Sequence, residues 1–247
     1  MLRVENLSAG YKGNAVIENL SFSLDPGNFL AVLGKNGAGK TTLLHAISGI
    51  IEYTGNVDYD GISLKTLARS EIAKIVGVVE QNINLVPFKV HEVVCLGRVP
   101  YAKLFSWQQE DFEIVERAMK KVGIWHLRNR LITEISAGET QKVMIAKVLA
   151  QDAKVLLLDE PTSHLDLESQ FVTIEILKEL CNNGKIVIAV FHDINLAKFA
   201  THVLFLGGNH KGRRYLFGDE GILTAKNVAL CLNVDEDKVS SQFKISK

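Results

Sequence analysis

The stretch that decides the fold is Gly34-Lys35-Asn36-Gly37-Ala38-Gly39-Lys40-Thr41. It fits the phosphate-loop pattern G-x-x-x-x-G-K-[ST], whose glycines let backbone N–H groups close around phosphates at a helix N-terminus. The apolar run at 29–33 before the loop predicts a buried strand, and the residues after it have a helical apolar pattern that ends at Gly49. This order predicts a phosphate-binding α/β core, with Lys40 reaching the phosphates and the Thr41 hydroxyl available to Mg²⁺.

Two acidic residues follow a second apolar run. Val155–Leu158 predicts another buried strand, and Asp159 and Glu160 come directly after it. The carboxyl ends of parallel strands are where α/β proteins place their ligand sites. We therefore expect Asp159 to hold Mg²⁺, directly or through water, and Glu160 to act as general base toward an attacking water.

Strand and helix signals alternate along the chain, with one long helical interruption. Further strands are predicted at 16–24, 75–79 and 186–191, a hairpin at 55–64, and helical structure from about 90 to 150. This order predicts an α/β fold with an inserted helical subdomain. The tail from about residue 221 predicts one helix and a short terminal segment.

The composition excludes several classes of protein. Of the 247 residues, 47% are hydrophobic and 23% charged, which suits a folded domain rather than a disordered chain. Lys+Arg and Asp+Glu number 28 each, so no net charge attracts nucleic acid. Three scattered cysteines argue against a disulfide framework or a zinc site. The longest strongly apolar stretch, Ile186–Phe191, is too short for a membrane-spanning helix, and we expect no secretory signal.

A capping box predicts the start of another helix at Ser136. Ser136 and Glu139 have the S-x-x-E spacing, and the free N–H groups of such a helix end suit a phosphate. The segment Ile135-Ser136-Ala137-Gly138-Glu139 resembles the signature L-S-G-G-[QE] of ABC-transporter ATPases. The chain resembles an ABC ATPase over about residues 1–220, because that family's motifs occur in order: the phosphate loop, Gln81, the signature, Asp159-Glu160, Ser163-His164-Leu165-Asp166 and His192.

The resemblance implies a P-loop NTPase core with a mixed sheet, flanking helices and an N-terminal antiparallel β subdomain, beside the inserted helical subdomain. The whole chain, 1–247, is then one ABC ATPase domain. Its core would occupy about 1–81 and 151–220, the helical subdomain with the signature about 82–150, and the tail about 221–247.

The resemblance also implies roles for single residues. Gln81, Asp159 and Thr41 would hold Mg²⁺, and His192 would contact the γ-phosphate and orient Glu160. The catalytic set would be Glu160, His192, Gln81 and Lys40. The residues that bind ATP would be Tyr11, which stacks on adenine, Val16, Gly34, Lys35, Asn36, Gly37, Ala38, Gly39, Lys40, Thr41 and Thr42.

A second copy of the chain is part of the implied site. In the family, two copies meet head to tail around ATP, and the dimer-interface loop is represented here by Asp166. The residues that would contact the partner's ATP are Ser136, Ala137, Gly138 and Glu139.

The stretch Gly97-Arg98-Val99-Pro100-Tyr101 resembles the G-R-x-P-[HY] sequence of ATPases that serve iron–siderophore, haem and cobalamin importers. It implies integral-membrane permease subunits as partners, an indirect link to a substrate-binding protein, no nucleic acid, and a place at the cytoplasmic face of the cell membrane. We expect Leu85, Val86 and Phe88 to face outward in a groove for the permease.

Three alternatives stay open. The chain could serve a zinc or manganese importer, or be a soluble ABC ATPase of DNA repair or translation. Repair members carry a long coiled coil and translation members two ATPase domains, and this chain has neither pattern. The third alternative, a non-catalytic nucleotide-binding module, is disfavoured because Glu160 and His192 are both present.

Some positions depart from the family pattern. Ala137 stands where glycine is usual, and a positive φ there would cost about 1 kcal/mol. Lys142 replaces the usual arginine, which would lose a bidentate contact. We expect Gly207–Arg214 to be a solvated loop. Because the catalytic positions are intact, we expect a working enzyme.

Overall fold

The computed structural model describes residues 1–12, 14–81, 86–102, 107–210 and 213–242. Its strands, in chain order, are β1 (Leu2–Tyr11), β2 (Asn14–Leu24), β3 (Phe29–Gly34), β4 (Tyr53–Tyr59), β5 (Ile62–Ser63), β6 (Val76–Val79), β7 (Val155–Asp159), β8 (Ile186–Val190), β9 (His202–His210) and β10 (Arg213–Asp219). The α-helices are α1 (Lys40–Ile47), α2 (Arg69–Ile75), α3 (Val90–Cys95), α4 (Gln109–Lys121), α5 (Ala137–Ala150), α6 (Leu167–Asn182), α7 (Ile194–Ala197), α8 (Ala225–Leu232) and α9 (Glu236–Gln242).

The strands form two sheets. One is an antiparallel sheet in the order β2-β1-β4-β5, and the other is a six-stranded sheet in the order β10-β9-β3-β8-β7-β6. In the second sheet β9, β3, β8, β7 and β6 are parallel, and only β10 runs antiparallel to its neighbour. The predicted mixed sheet and N-terminal antiparallel β subdomain are therefore confirmed. Since β7 and β8 are fully buried, their sequences are continuous apolar runs.

The six-stranded sheet separates two apolar cores. The face that carries Leu30, Val32 and Leu157 packs against α1 and the antiparallel sheet. The opposite face packs against α3, α4, α5 and α6, which lie between β6 and β8 in the chain, and against α7 and α8, which lie after β8. The predicted helical insert is thus present as α3, α4 and α5, while the residue limits proposed for core, insert and tail stay predictions.

Strand register aligns the predicted site residues at one edge. Val190 of β8 lies beside Val32 of β3 on one side and beside Asp159 of β7 on the other. Leu158 is paired with Val79 at the end of β6. The segments that leave these four strand ends, which include the phosphate loop, Gln81, Glu160 and His192, therefore meet at the carboxyl edge of the sheet.

Two sequence expectations are wrong. The described part of Gly207–Arg214 is not a solvated loop, because β9 continues to His210, which pairs with Arg213 of β10. The hairpin is held by the antiparallel sheet: the Ser21 N–H donates to the Tyr215 hydroxyl at 3.2 Å. The described part of the tail contains two α-helices, α8 and α9, where the sequence predicts one helix; α9 is largely polar and lacks a strong apolar pattern.

Candidate functional site

The phosphate loop joins β3 to α1 and is fixed by close packing. Gly39 precedes the first residue of α1 with φ +97°, which few other residues adopt. A Cβ on Gly39 would lie 3.0 Å from side-chain carbons of Val16 and Ile17. At Gly34, a Cβ would lie 2.6 Å from the Leu206 carbonyl oxygen. The loop is thus held between β2 and β9, and Val16 lies against it.

Lys40 lies under the loop. Its Nζ donates hydrogen bonds to the carbonyl oxygens of Gly34 at 2.8 Å and Lys35 at 3.0 Å, and the residue is 7% exposed. Burial lowers the pKa of Lys40, and the nearby carboxylates of Glu160 and Asp159 act in the opposite direction. The ammonium group is therefore positioned by the loop's own backbone, where a phosphate held by the loop would meet it.

Thr41 and Asp159 supply neighbouring oxygen atoms. The Thr41 hydroxyl donates to Asp159 Oδ2 at 2.6 Å, although the two residues are 118 positions apart in the chain. Asp159 is 8% exposed. Hydroxyl and carboxylate oxygens suit Mg²⁺, which keeps several waters and takes few protein ligands beside substrate phosphates. The residues present therefore fit the predicted Mg²⁺ site.

The Glu160 carboxylate is the centre of a hydrogen-bonded cluster. Gln81 Nε2 donates to its Oε2, and His192 Nε2 hydrogen bonds to its Oε1. A third donor, the hydroxyl of Ser163, reaches Oε2 at 2.9 Å. Glu160 also has a left-handed backbone with φ +52°, a conformation that costs a non-glycine residue about 1–2 kcal/mol. Such local strain is characteristic of functional sites.

The structure therefore brings six predicted residues into one site. They come from the phosphate loop and from the ends of three further strands, β6, β7 and β8, and they are Lys40, Thr41, Gln81, Asp159, Glu160 and His192. Their catalytic and metal-binding roles stay predictions.

The predicted adenine contact, Tyr11, ends β1 with its side chain exposed. The residue is 47% exposed, and its hydroxyl lies 3.1 Å from His45 Nδ1 on α1. The ring is thus linked to the helix that follows the phosphate loop. Sequence reasoning missed His45, whose only sequence signal is its place on the α1 face near the loop.

The signature residues begin α5 as the capping box predicts. The Ser136 hydroxyl accepts from the Glu139 N–H at 3.2 Å, and the Ser136 N–H donates to Glu139 Oε2 at 2.8 Å. The hydrogen bond from the Ser136 N–H lowers the pKa of the Glu139 carboxyl. Ala137 is an ordinary first residue of a helix, so it needs no positive φ and carries no strain of that kind.

A second predicted contact region lies beside the signature. A Cβ on Gly138 would lie 2.7 Å from Ser169 Oγ in the first turn of α6, whose N-cap is Asp166. The Asp166 carboxylate accepts from the Ser169 N–H at 2.7 Å. Signature and interface loop therefore share one surface. Among the described residues, no hydrogen bond or ion pair joins 136–139 to the phosphate loop of the same chain.

The stretch Gly97–Tyr101 is bound to the C-terminal end of α5. Arg98 is buried; its Nε donates to Asp111 Oδ1 and its Nη1 to the Ala150 carbonyl oxygen, both at 2.8 Å. The Tyr101 hydroxyl donates to the Gln151 carbonyl oxygen at 3.1 Å. Arg98 and Tyr101 therefore hold this stretch against the end of α5, a structural role that the sequence did not predict.

Several apolar side chains of the helical subdomain are about half exposed. Val86 is 53% exposed and Phe88 49%, as expected from the sequence, while Leu85 lies outside the described residues. Leu96 and Val99 are also about half exposed. We call these four residues, Val86, Phe88, Leu96 and Val99, the apolar patch. Nowhere in the described parts of the chain is a helix both long and apolar enough to span a bilayer.

Known proteins resemble this chain closely. The ABC transporter family model matches residues 17–163. The chain is similar to the ferric enterobactin transport ATP-binding protein FepC of Escherichia coli strain K12, with 40% identity over 210 residues that cover 83% of this chain and 78% of FepC.

Solved structures of ABC proteins are also similar to this chain. One is a metal-chelate type ABC transporter in an inward-facing conformation, with TM-score 0.81 and 31% identity, covering 93% of this chain and 88% of the other. Another is a dimeric ATP-binding cassette in a post-hydrolysis state with ADP and Pi, with TM-score 0.75 and 27% identity, covering 89% of this chain and 98% of the other.

Proposed function

The chain belongs to the ABC transporter family of ATP-binding proteins, and from this premise we propose that it is the ATP-hydrolysing subunit of a membrane importer for a metal chelate. The proposed cargo is an iron–siderophore complex, haem or cobalamin. The observation that carries the proposal is the cluster of Lys40, Thr41–Asp159 and Gln81–Glu160–His192 at the carboxyl edge of the sheet.

ATP is bound first by the loop. Backbone N–H groups of the loop and the Lys40 ammonium hold the β- and γ-phosphates, and the Tyr11 ring stacks on adenine. Thr41, Asp159 and Gln81 would hold Mg²⁺, whose charge would neutralise the phosphate oxygens. Gln81 must then leave Glu160, its hydrogen-bond partner in this structure.

Hydrolysis uses Glu160 as the base. Its carboxylate accepts a proton from water as the water oxygen bonds to the γ-phosphorus and the bond to the ADP oxygen breaks. ADP and phosphate are the products. His192 contacts a γ-phosphate oxygen and orients Glu160, and Lys40 stabilises the charge that develops.

A second copy of the chain completes the site. The N-terminus of α5, with Ser136, Ala137, Gly138 and Glu139, faces the γ-phosphate bound by the partner copy, and Asp166 lies at the same interface. The surface shared by Gly138 and α6 supports this arrangement, as does the similarity to a dimeric cassette. Closure around ATP and reopening after hydrolysis drive transport.

The apolar patch binds the permease. Four half-exposed apolar side chains on one insert are the kind of surface that a short amphipathic helix of a membrane protein contacts. The permease holds the chain at the cytoplasmic face of the membrane, and a substrate-binding protein delivers the cargo to the permease. The metal-chelate class is supported by the Gly97–Tyr101 stretch and by the similarity to FepC. A zinc or manganese importer is the alternative.

The test is co-purification from detergent-solubilised membranes, with Glu160→Gln protein and MgATP. We expect a many-helix permease and a metal-chelate binding protein to be recovered. Phe88→Asp should abolish recovery, whereas Phe112→Asp, a matched change at a 47% exposed phenylalanine on α4, should not. Recovery of soluble nucleic-acid factors without a membrane protein would overturn the transport proposal, and a zinc- or manganese-binding protein would overturn the cargo class.

Phe88→Asp also separates docking from catalysis. Because Phe88 lies outside the ATP site, the variant should bind ATP like the wild type and lose transport. ATP binding is measured by fluorescence titration with a labelled ATP analogue. If Phe88→Asp lost ATP binding as strongly as it lost transport, the assignment of the apolar patch to permease binding would be wrong.

A further inference from the structure

Ser163 lies in a tight turn with Glu160. The Ser163 N–H donates to the Glu160 carbonyl oxygen at 3.1 Å, and the Ser163 hydroxyl donates to Glu160 Oε2 at 2.9 Å. One residue therefore contacts both the backbone and the carboxylate of Glu160. Because the hydroxyl and the carboxylate belong to the same short turn, this contact needs no movement of a separate element.

The turn is held in place from outside. Gln170 of α6 donates through Nε2 to the carbonyl oxygens of Thr162 at 3.4 Å and Leu165 at 3.1 Å. Thr162 is 7% exposed. Glu160 and His164, at either end of this segment, both have positive φ, at +52° and +62°. The position of the Ser163 hydroxyl is thus fixed by the fold and not by a ligand.

The three donors to Glu160 differ in what else they do. Under the proposed function, Gln81 would hold Mg²⁺, and His192 would also contact the γ-phosphate when ATP is bound. Among the described residues, the Ser163 hydroxyl makes no hydrogen bond other than the one to Glu160. The hydroxyl of Ser163 is therefore the donor whose contact with Glu160 needs no rearrangement, and it keeps the carboxylate in one orientation on a left-handed backbone.

We propose that Ser163 is a positioning residue for the hydrolytic reaction: its hydroxyl holds the Glu160 carboxylate toward the attacking water in the ATP-bound site. This inference rests on the proposed function, in which Glu160 is the base. A misplacement of about 1 Å in a reacting group can cost about 100-fold in rate. Ser163→Ala should therefore lower kcat by about 10- to 100-fold.

The experiment measures steady-state hydrolysis of MgATP by the full chain. For Ser163→Ala we expect the fall in kcat with KM for ATP within about twofold of wild type, since Ser163 binds no part of ATP. Ser163→Thr keeps the hydroxyl and should restore most of kcat. Ser63→Ala is the matched control, because its hydroxyl also makes a side-chain hydrogen bond, to Asn56, but in the antiparallel sheet.

A second comparison separates positioning from a general structural effect. In a Glu160→Gln background, Ser163→Ala should lower the residual rate no further, because the group it positions is already absent. Three results would each overturn the inference. They are a wild-type kcat in Ser163→Ala, a kcat in Ser163→Thr as low as in Ser163→Ala, and a fall in rate on adding Ser163→Ala to Glu160→Gln that is as large as in the wild-type background. Loss of turnover in Glu160→Gln with normal turnover in Ser163→Ala overturns this inference alone. Unimpaired turnover in Glu160→Gln overturns the base assignment as well.

Discussion

Replacement of Arg98 by leucine would leave the Asp111 carboxylate buried without its charged partner. In the wild type, Arg98 Nε lies 2.8 Å from Asp111 Oδ1, and the two side chains are only 9% and 10% exposed. Water therefore cannot replace the lost contact for the Asp111 carboxylate in the variant. Of its side-chain hydrogen bonds with described residues, Asp111 would keep the one from the Gln108 N–H at 3.0 Å, and the Ala150 carbonyl oxygen would lose the Arg98 donor. Removing one partner of a buried pair costs about 3–5 kcal/mol. We expect the free energy of unfolding to fall by about that amount.

The assay is urea unfolding followed by tryptophan fluorescence. Both tryptophans, Trp107 and Trp125, lie in the part of the chain that surrounds α4, so the signal reports on the element that loses the contact. Arg117→Leu, on the exposed side of α4, is the matched control and should cost less than about 0.5 kcal/mol. The double variant Arg98→Leu/Asp111→Leu should recover much of the loss, because no charge is left buried. A loss below about 1 kcal/mol in Arg98→Leu, or no recovery in the double variant, would refute the reasoning.

The same pair has a defined pH dependence. Burial alone would raise the pKa of the Asp111 carboxyl, but the Gln108 N–H and the Arg98 guanidinium outweigh it and hold the pKa below the ordinary 3.8. The folded state therefore binds the proton less readily than the unfolded chain, and the stabilisation is present above pH 4 and lost as pH falls through the lowered pKa. Wild type and Arg98→Leu should converge in stability in acid. A difference that persists unchanged to pH 2 would contradict this.

Two further predictions concern the nucleotide site. Tyr11→Ala should weaken ATP binding about 3- to 10-fold, which is the range expected for the loss of one aromatic contact. Tyr11→Phe keeps the ring and loses only the contact with His45, so it should bind ATP nearly as well as the wild type. Calorimetric titration with ATP measures both affinities, and full affinity in the alanine variant would argue against stacking. Ser136→Asp keeps a good helix N-cap residue, so its free energy of unfolding should stay within about 0.5 kcal/mol of the wild-type value. The variant places a negative charge where the partner's γ-phosphate is expected, so it should abolish ATP-dependent dimerisation in size-exclusion chromatography. A normal dimer would show that the N-terminus of α5 does not contact the partner's phosphate.

Local motifs made much of the site predictable. The phosphate loop, the Asp159-Glu160 pair and the capping box at Ser136 each depend on residues within a few positions of one another, so their spacing in the sequence carries the geometry. The parallel order of β3, β8 and β7 then brings distant motifs to one edge of the sheet, as an α/β fold must.

Long-range pairing was harder to anticipate. The hairpin of β9 and β10 depends on contacts with residues such as Ser21, almost 200 positions away, and the sequence of Gly207–Arg214 alone suggests a loop. The burial of Arg98 depends on Asp111 and on the end of α5, which no local pattern links to it. Ser163 could have been found, because a hydroxyl three residues after a carboxylate in a turn can reach back to it.

The most direct test of the account is hydrolysis of MgATP by the wild-type chain and by Glu160→Gln, with released phosphate and oligomeric state measured together. We predict turnover in the wild type, a loss of at least about 100-fold in the variant, and a dimer that accumulates in the variant with ATP but not with ADP. Near-normal phosphate release by Glu160→Gln would contradict the assignment of Glu160 as the base, and a variant that stays monomeric with saturating ATP would contradict the two-copy site.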